Sequence, residues 1–155
     1  MRKLQIILLL SIVFATIPSC EVDDICVQEV LTPKMIIEFY DATEIETKKN
    51  IEKLTVWAEN KDSLFIDLKR DSISIPLDFN TEMTKYYLAA NSIVDTLYIY
   101  HINKDVFVSR SCGYKVNYEL KPDTHTSNEW IIDFETASNP QLITNEKEVH
   151  IKIYH

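Results

Sequence analysis

Hydrophobic residues in the body of the chain recur at every second position, the mark of half-buried strands, and helical spacing is nowhere sustained. Met35–Tyr40 opens the series. Leu54, Val56 and Ala58 share one face of the next segment, with Thr55 and Trp57 on the other. Leu64, Ile66 and Leu68 alternate with Phe65 and Asp67, and Ile73, Ile75 and Leu77 with Ser74 and Pro76. Proline cannot donate to a ladder, which puts that segment at an edge or a bulge. After Lys85–Leu88, Val94, Leu97 and Ile99 and then Val106 and Val108 read as two arms joined at Ile102-Asn103-Lys104-Asp105. Tyr114, Val116, Tyr118 and Leu120 alternate with polar residues, Trp130–Phe134 follows, and Val149, Ile151 and Ile153 close the pattern. About nine short strands with no room for helices between them predict an all-β fold. The expected architecture is an antiparallel β-sandwich, immunoglobulin-like or similar, with a closed β-barrel as the alternative.

Composition changes the picture at one point. The 155 residues contain a single glycine, Gly113. Gly-rich phosphate loops and G-x-G-x-x-G turns need several residues without a Cβ, so nucleotide-binding folds of those types are excluded. Asparagine is the next best residue for positive φ, and Asn60, Asn91 and Asn103 fall where the pattern breaks, with Asn139-Pro140 marking a longer loop. Gly113, inside a strand pattern, reads as a bulge or a close backbone approach. With 16 Lys+Arg against 24 Asp+Glu, the net charge of -8 argues against a nucleic-acid partner.

The N-terminus carries an address. Met1-Arg2-Lys3 is cationic, and in Leu4–Phe14 only Gln5 and Ser11 are polar. That run is too short to span a bilayer and has the length of a signal-peptide core. Ile17-Pro18-Ser19-Cys20 looks like a bacterial lipobox, in which the cysteine receives a diacylglycerol and the chain is cut before it. The expected organisation is a signal peptide over 1–19, an acidic tether over 20–30 containing Glu21, Asp23 and Asp24, and one domain over 31–155. Several acyl chains on Cys20 would hold the protein to a membrane essentially permanently. The domain itself, more acidic still once Arg2 and Lys3 are removed, would stay in water. The expected location is the cell envelope, at the outer membrane, with its periplasmic or surface orientation open. Lipidation of Cys20 leaves Cys26 and Cys112, an even count that in an exported chain predicts a structural disulfide. The competing reading makes Cys112 a nucleophile with His101, His125, His150 or His155 as base, and no spacing selects among them.

Metal-ligand spacings are missing: there is no H-E-x-x-H, no paired C-x-x-C and no calcium loop with a central glycine. Asp41, Glu44 and Glu46 could offer oxygens to calcium, against the simpler reading of solvated loop charges. No metal or cofactor is therefore expected. Tyr98 and Tyr100 stand opposite the core residues Leu97 and Ile99 on one strand, and Trp57, Tyr86, Tyr87 and Phe65 are candidates to join them. Aromatics on an exposed sheet face can stack on a glycan or anchor a protein partner; ordinary cross-strand pairing is the competing reading. Arg110, beside Cys112, calls for an acid such as Asp105 or Asp78.

Asp24-Ile25-Cys26, Ile36-Ile37-Glu38-Phe39-Tyr40-Asp41, Leu54-Thr55-Val56-Trp57-Ala58-Glu59, Asp71-Ser72-Ile73-Ser74-Ile75-Pro76-Leu77-Asp78 and Val106-Phe107-Val108-Ser109-Arg110-Ser111-Cys112-Gly113-Tyr114 together resemble an uncharacterised lipoprotein family of the Bacteroidota. The resemblance implies an envelope location and brings no activity and no catalytic residue. The expectation is a non-enzymatic binding or assembly module, the alternative an envelope hydrolase or carbohydrate-binding protein built from scattered acids and exposed aromatics.

Overall fold

The computed structural model describes residues 25–26, 31–138 and 141–155. These contain no helix and eleven strands: β1 (Met35–Tyr40), β2 (Ile51–Ala58), β3 (Ser63–Arg70), β4 (Ser72–Ile75), β5 (Met83–Ala90), β6 (Ile93–Ser109), β7 (Gly113–Leu120), β8 (His125–Thr126), β9 (Asp133–Thr136), β10 (Leu142–Ile143) and β11 (Ile151–Tyr154). A four-stranded sheet in the order β4-β1-β11-β9 packs on a seven-stranded one ordered β10-β7-β6-β5-β2-β3, with β8 also paired to β6. The result is an open β-sandwich, not a closed barrel. The expected antiparallel pairing has one exception: β1 and β11 run parallel, Ile37 opposite Ile151 and Phe39 opposite Ile153. No hairpin joins those distant segments, so nothing imposes the antiparallel direction on them.

Period-two alternation explains the core. Met35, Ile37 and Phe39 of β1, Ile73 and Ile75 of β4, and Ile151 and Ile153 of β11 face Leu54, Val56, Tyr86, Leu88, Leu97 and Ile99 across the sandwich, all buried. Each such side chain removed from water favours folding by about 1.5–3 kcal/mol. Pro76 follows directly after β4, which is an edge strand, where a missing donor does no harm.

Four expectations are corrected. The two arms meeting at Ile102–Asp105 are one unbroken seventeen-residue strand, β6, and the real turn lies at Ser109–Gly113. Asn103 sits within that strand, whereas Asn60 and Asn91 do occupy turns with φ of 57° and 49°. Leu64, Ile66 and Leu68 are exposed on β3, and Phe65 turns toward the core instead. Three register shifts against β2 and the positive φ of Asp67 break the alternation there. Gly113 has φ +74° and open space where a Cβ would stand, which rules out the close approach; it pairs with Ser109 next to a register shift in the β6–β7 ladder, in line with the bulge. The pattern at Trp130–Phe134 is a strand only from Asp133; Trp130 and Ile131 belong to a loop held by a carboxylate.

That carboxylate is Asp95, wholly buried on β6. Its Oδ1 accepts from Ser127 Oγ (2.7 Å) and the Glu129 amide (2.8 Å), and its Oδ2 from the Trp130 and Ile131 amides (both 2.7 Å). Burial pushes its pKa up, and the donors from Glu129, Ile131, Ser127 and Trp130 outweigh it, holding Asp95 below the ordinary carboxylate value.

Candidate functional site

The side of the seven-stranded sheet that faces away from the core carries an aromatic ladder. Register sets Trp57 of β2 opposite Tyr87 of β5, Lys85 of β5 opposite Tyr98 of β6, and Tyr98 opposite His125 of β8. Trp57 and Tyr87 stack with centroids 5.3 Å apart and planes 19° from parallel. His125 stacks on Tyr98 at 4.7 Å and on Tyr100 at 6.0 Å. Lys85 joins the two groups, its Nζ 4.8 Å from the Tyr87 centroid and 5.7 Å from that of Tyr98. Glu59 accepts from Lys85 Nζ (3.1 Å) and, more weakly, from the Tyr87 hydroxyl (3.4 Å). Contact with Tyr87 and then Glu59 pushes Lys85 well above the usual lysine range, so the ammonium is a permanent part of the surface. Lys85 in turn lowers Glu59.

Of the anticipated aromatics, Trp57, Tyr98 and Tyr100 stand on this face, half-buried at their bases, and Tyr87 joins them. Tyr86 and Phe65 do not. Tyr86 points inward and donates its hydroxyl to the Pro76 carbonyl at 2.7 Å, and Phe65 packs on the core. Lys85 and Glu59 are not anticipated on this face, and His125 only as a base for Cys112. Lys85 was readable, since it shares the alternation of Tyr87; His125 lies on a two-residue strand that leaves no periodic signal.

The chemistry follows from the packing. Tyr87 stacks on Trp57 and has the Lys85 ammonium over its ring, and Tyr98 stacks on His125 with the same ammonium over its ring, so both central rings already have face contacts within the protein. Trp57 and Tyr100, at the two ends, each have one ring neighbour among the described residues. Such a surface is broad, stiff and mixed in polarity, which suits a flat contact better than enclosure of a small molecule. Beside it, Glu59 and Lys85 also border a cleft of about 680 Å³ whose apolar lining includes Leu64, Phe79 and Met83.

The other anticipated groups lie elsewhere. Cys26 and Cys112 are joined by a disulfide with Cα atoms 4.9 Å apart, so Cys112 has no thiol to offer to a histidine. Cys20 lies outside the described residues. Arg110 is exposed in the turn, with no carboxylate within 4 Å among the described residues, and so forms no ion pair with Asp105 or Asp78. Asp41 Oδ1 accepts from the Thr43 hydroxyl and the Thr43 and Glu44 amides, while its Oδ2 pairs with Lys49 at 2.9 Å. Its oxygens thus organise the loop after β1.

Two histidines expected to be available are structural. His101 is wholly buried. Asn103 donates to the carbonyls of Phe79 and Thr81, which leaves its Oδ1 to accept from His101 Nδ1 at 2.7 Å. The Asp78 amide donates to Thr84 Oγ1, whose own proton then goes to His101 Nε2 at 3.0 Å. This network assigns the neutral Nδ1–H tautomer. His150, also buried, accepts from the Ile36 amide through Nδ1 (2.8 Å), and His155 is half-buried against Phe39 and Trp130.

Burial lowers the pKa of His101, His150 and His155. The unfolded chain therefore takes up protons below about pH 6.5 that the folded chain refuses, and stability falls as the pH drops. Urea midpoints are expected to be steady above about pH 7 and to decline toward pH 5, by roughly 1.4 kcal/mol per histidine for each pKa unit of difference. A midpoint independent of pH over that interval would refute the assignment of these rings as neutral in the fold.

Among known proteins, the model of a family of unknown function, DUF6452, matches residues 53–155. No curated protein and no solved structure matches.

Proposed function

The chain belongs to this family of unknown function, and from its own surface we propose that it is a non-enzymatic binding module of the cell envelope, moored by lipid on Cys20. The observation that carries the binding role is the ladder Trp57–Tyr87–Lys85–Tyr98–His125 on the solvent side of the larger sheet. Tyrosine and tryptophan bury large area at small entropic cost, and an ammonium held between rings adds a directional charge. The occupant is a protein partner, because the central rings already have stacked neighbours in place of the open faces a sugar requires. The Cys26–Cys112 bridge supports an oxidising compartment, in line with export. The lipobox at Cys20 supplies the mooring.

The experiment pairs detergent-solubilised membranes with the wild-type protein and with a Trp57→Ala/Tyr98→Ala variant. Cross-linking is expected to capture a partner with wild type and to lose it at least tenfold with the variant. Both side chains are half-exposed on the outer face, so the thermal midpoint moves little. Equal capture by both proteins removes the ladder from the reading, and retention on immobilised glycans without a protein partner replaces it with the carbohydrate alternative. In parallel, a fatty-acid label is expected on wild type and not on Cys20→Ser.

A further inference from the structure

Toward its turn the β6–β7 hairpin becomes an exposed arm. His101 opposite Leu120, Asn103 opposite Tyr118, Asp105 opposite Val116 and Phe107 opposite Tyr114 all lie on the side of the ribbon that faces the core. Along that side the cover gives out. His101 and Tyr118 are buried, whereas Phe107 is 56% and Tyr114 67% exposed. These two rings meet edge to face at 5.3 Å, so the tip carries a preformed aromatic pair with nothing over it among the described residues. At the tip, the disulfide ties Cys112 to Cys26, whose neighbour Ile25 is 74% exposed. Leu31, 66% exposed, lies close by, because the adjacent Thr32 accepts from the Val116 amide of β7 through its hydroxyl (3.1 Å). From Val106 to Lys115 the sequence has no acid and two cations, Arg110 and Lys115, in a chain of net charge -8.

We propose that this arm rests in a lipid surface, with Phe107, Tyr114, Leu31 and Ile25 at the level of the headgroups and Arg110 reaching for the phosphates. The inference rests on the lipid-moored reading of Cys20. Only five residues lie between Cys20 and Cys26, a reach of at most about 22 Å from Cα to Cα. With the 4.9 Å between the Cys26 and Cys112 Cα atoms added, the bridge holds the arm tip within roughly 27 Å of the lipid-bearing residue, whatever path the tether takes. Exposed aromatics and an arginine brought that close to a bilayer meet the environment that such side chains prefer. Local concentration makes even a weak individual affinity effective. The arm then fixes the tilt of the sandwich on the membrane, and the aromatic ladder, on the sheet side opposite Phe107 and Tyr114, is held at a set attitude to its partner.

The test uses the mature chain from Cys20, whose core lies wholly within residues 35–153, carrying Phe107→Trp as a reporter at an exposed site. With Cys26 and Cys112 bridged, the Cys20 thiol is coupled to a maleimide phospholipid in phosphatidylcholine vesicles, which makes the result independent of whether cells lipidate Cys20. The reporter emission, taken as the difference from the parent chain, is expected to shift to the blue on coupling. It should also be quenched several-fold more by brominated phosphatidylcholine than the emission of Trp57 and Trp130 in the parent chain. Tyr114→Ser and Arg110→Ser together should reduce that quenching, with the circular-dichroism spectrum unchanged. Identical emission in coupled and uncoupled protein overturns the proposal, even where fatty-acid labelling of cells establishes the anchor. A missing fatty-acid label with clear quenching in the coupled protein overturns the anchor and leaves the lipid affinity of the arm standing.

Discussion

Asp95→Ala is expected to lower the unfolding free energy by roughly 3–5 kcal/mol, the largest effect of any single polar substitution in the fold. One carboxylate satisfies three consecutive backbone amides and a hydroxyl in a place water does not reach. Removing it strands the amides of Glu129, Trp130 and Ile131, each at the full desolvation penalty, and loses charge-assisted bonds of about 1.5–3 kcal/mol that do not simply add. Asp95→Asn should be nearly as harmful, because its NH₂ group must face donors that now have no acceptor. Ser127→Ala, which removes only one hydroxyl donor, should cost about 1 kcal/mol. Urea unfolding followed by tryptophan fluorescence checks the series, since Trp130 sits in the affected loop and donates its indole N–H to the Leu88 carbonyl. A loss below about 1 kcal/mol for Asp95→Ala would mean that the loop finds other acceptors.

Replacing both Cys26 and Cys112 by serine is expected to cost about 2–5 kcal/mol, with the chain-entropy argument placing the effect of so long a loop near the upper end. The two residues lie 86 apart in sequence, so the unfolded chain loses much conformational freedom when they are joined. The folded state loses little else, because β1 through β11 keep every ladder pairing without the bridge. Reduction of the wild-type protein should match the double-serine variant in thermal midpoint, and both should keep the strand signature in circular dichroism. Unchanged midpoints would show that the segment before β1 is already restrained in the unfolded chain.

Alternation made the sandwich legible. It located core residues of β2, β4 and β11 and put Tyr98 and Tyr100 on the outer face, because strands with one buried side announce their orientation. It failed at β3, where each bulge reverses the parity of the residues beyond it and so hides which side is buried. It also failed in the middle of β6: Asn103 reads as a turn residue from its propensity, yet its amide finds both acceptors and His101 within the fold. Asp95 was invisible for a related reason. Its partners are amides more than thirty residues away, and backbone groups leave no trace in composition. The ladder was half legible: its tyrosines followed the pattern, but the stacking of His125 depends on a return of the chain that no local signal encodes.

The parallel pairing of β1 with β11 has a consequence for how the molecule comes into being. Ile37 must wait for Ile151, 114 positions later, before its strand gains that neighbour. The hairpins of the larger sheet, by contrast, close over short stretches and can assemble early. Synthesis proceeds from the amino end, so the smaller sheet is a late arrival, completed only after β11 has emerged. Until then one edge of β1 stays without its neighbouring strand, an interval in which a chaperone has something to hold.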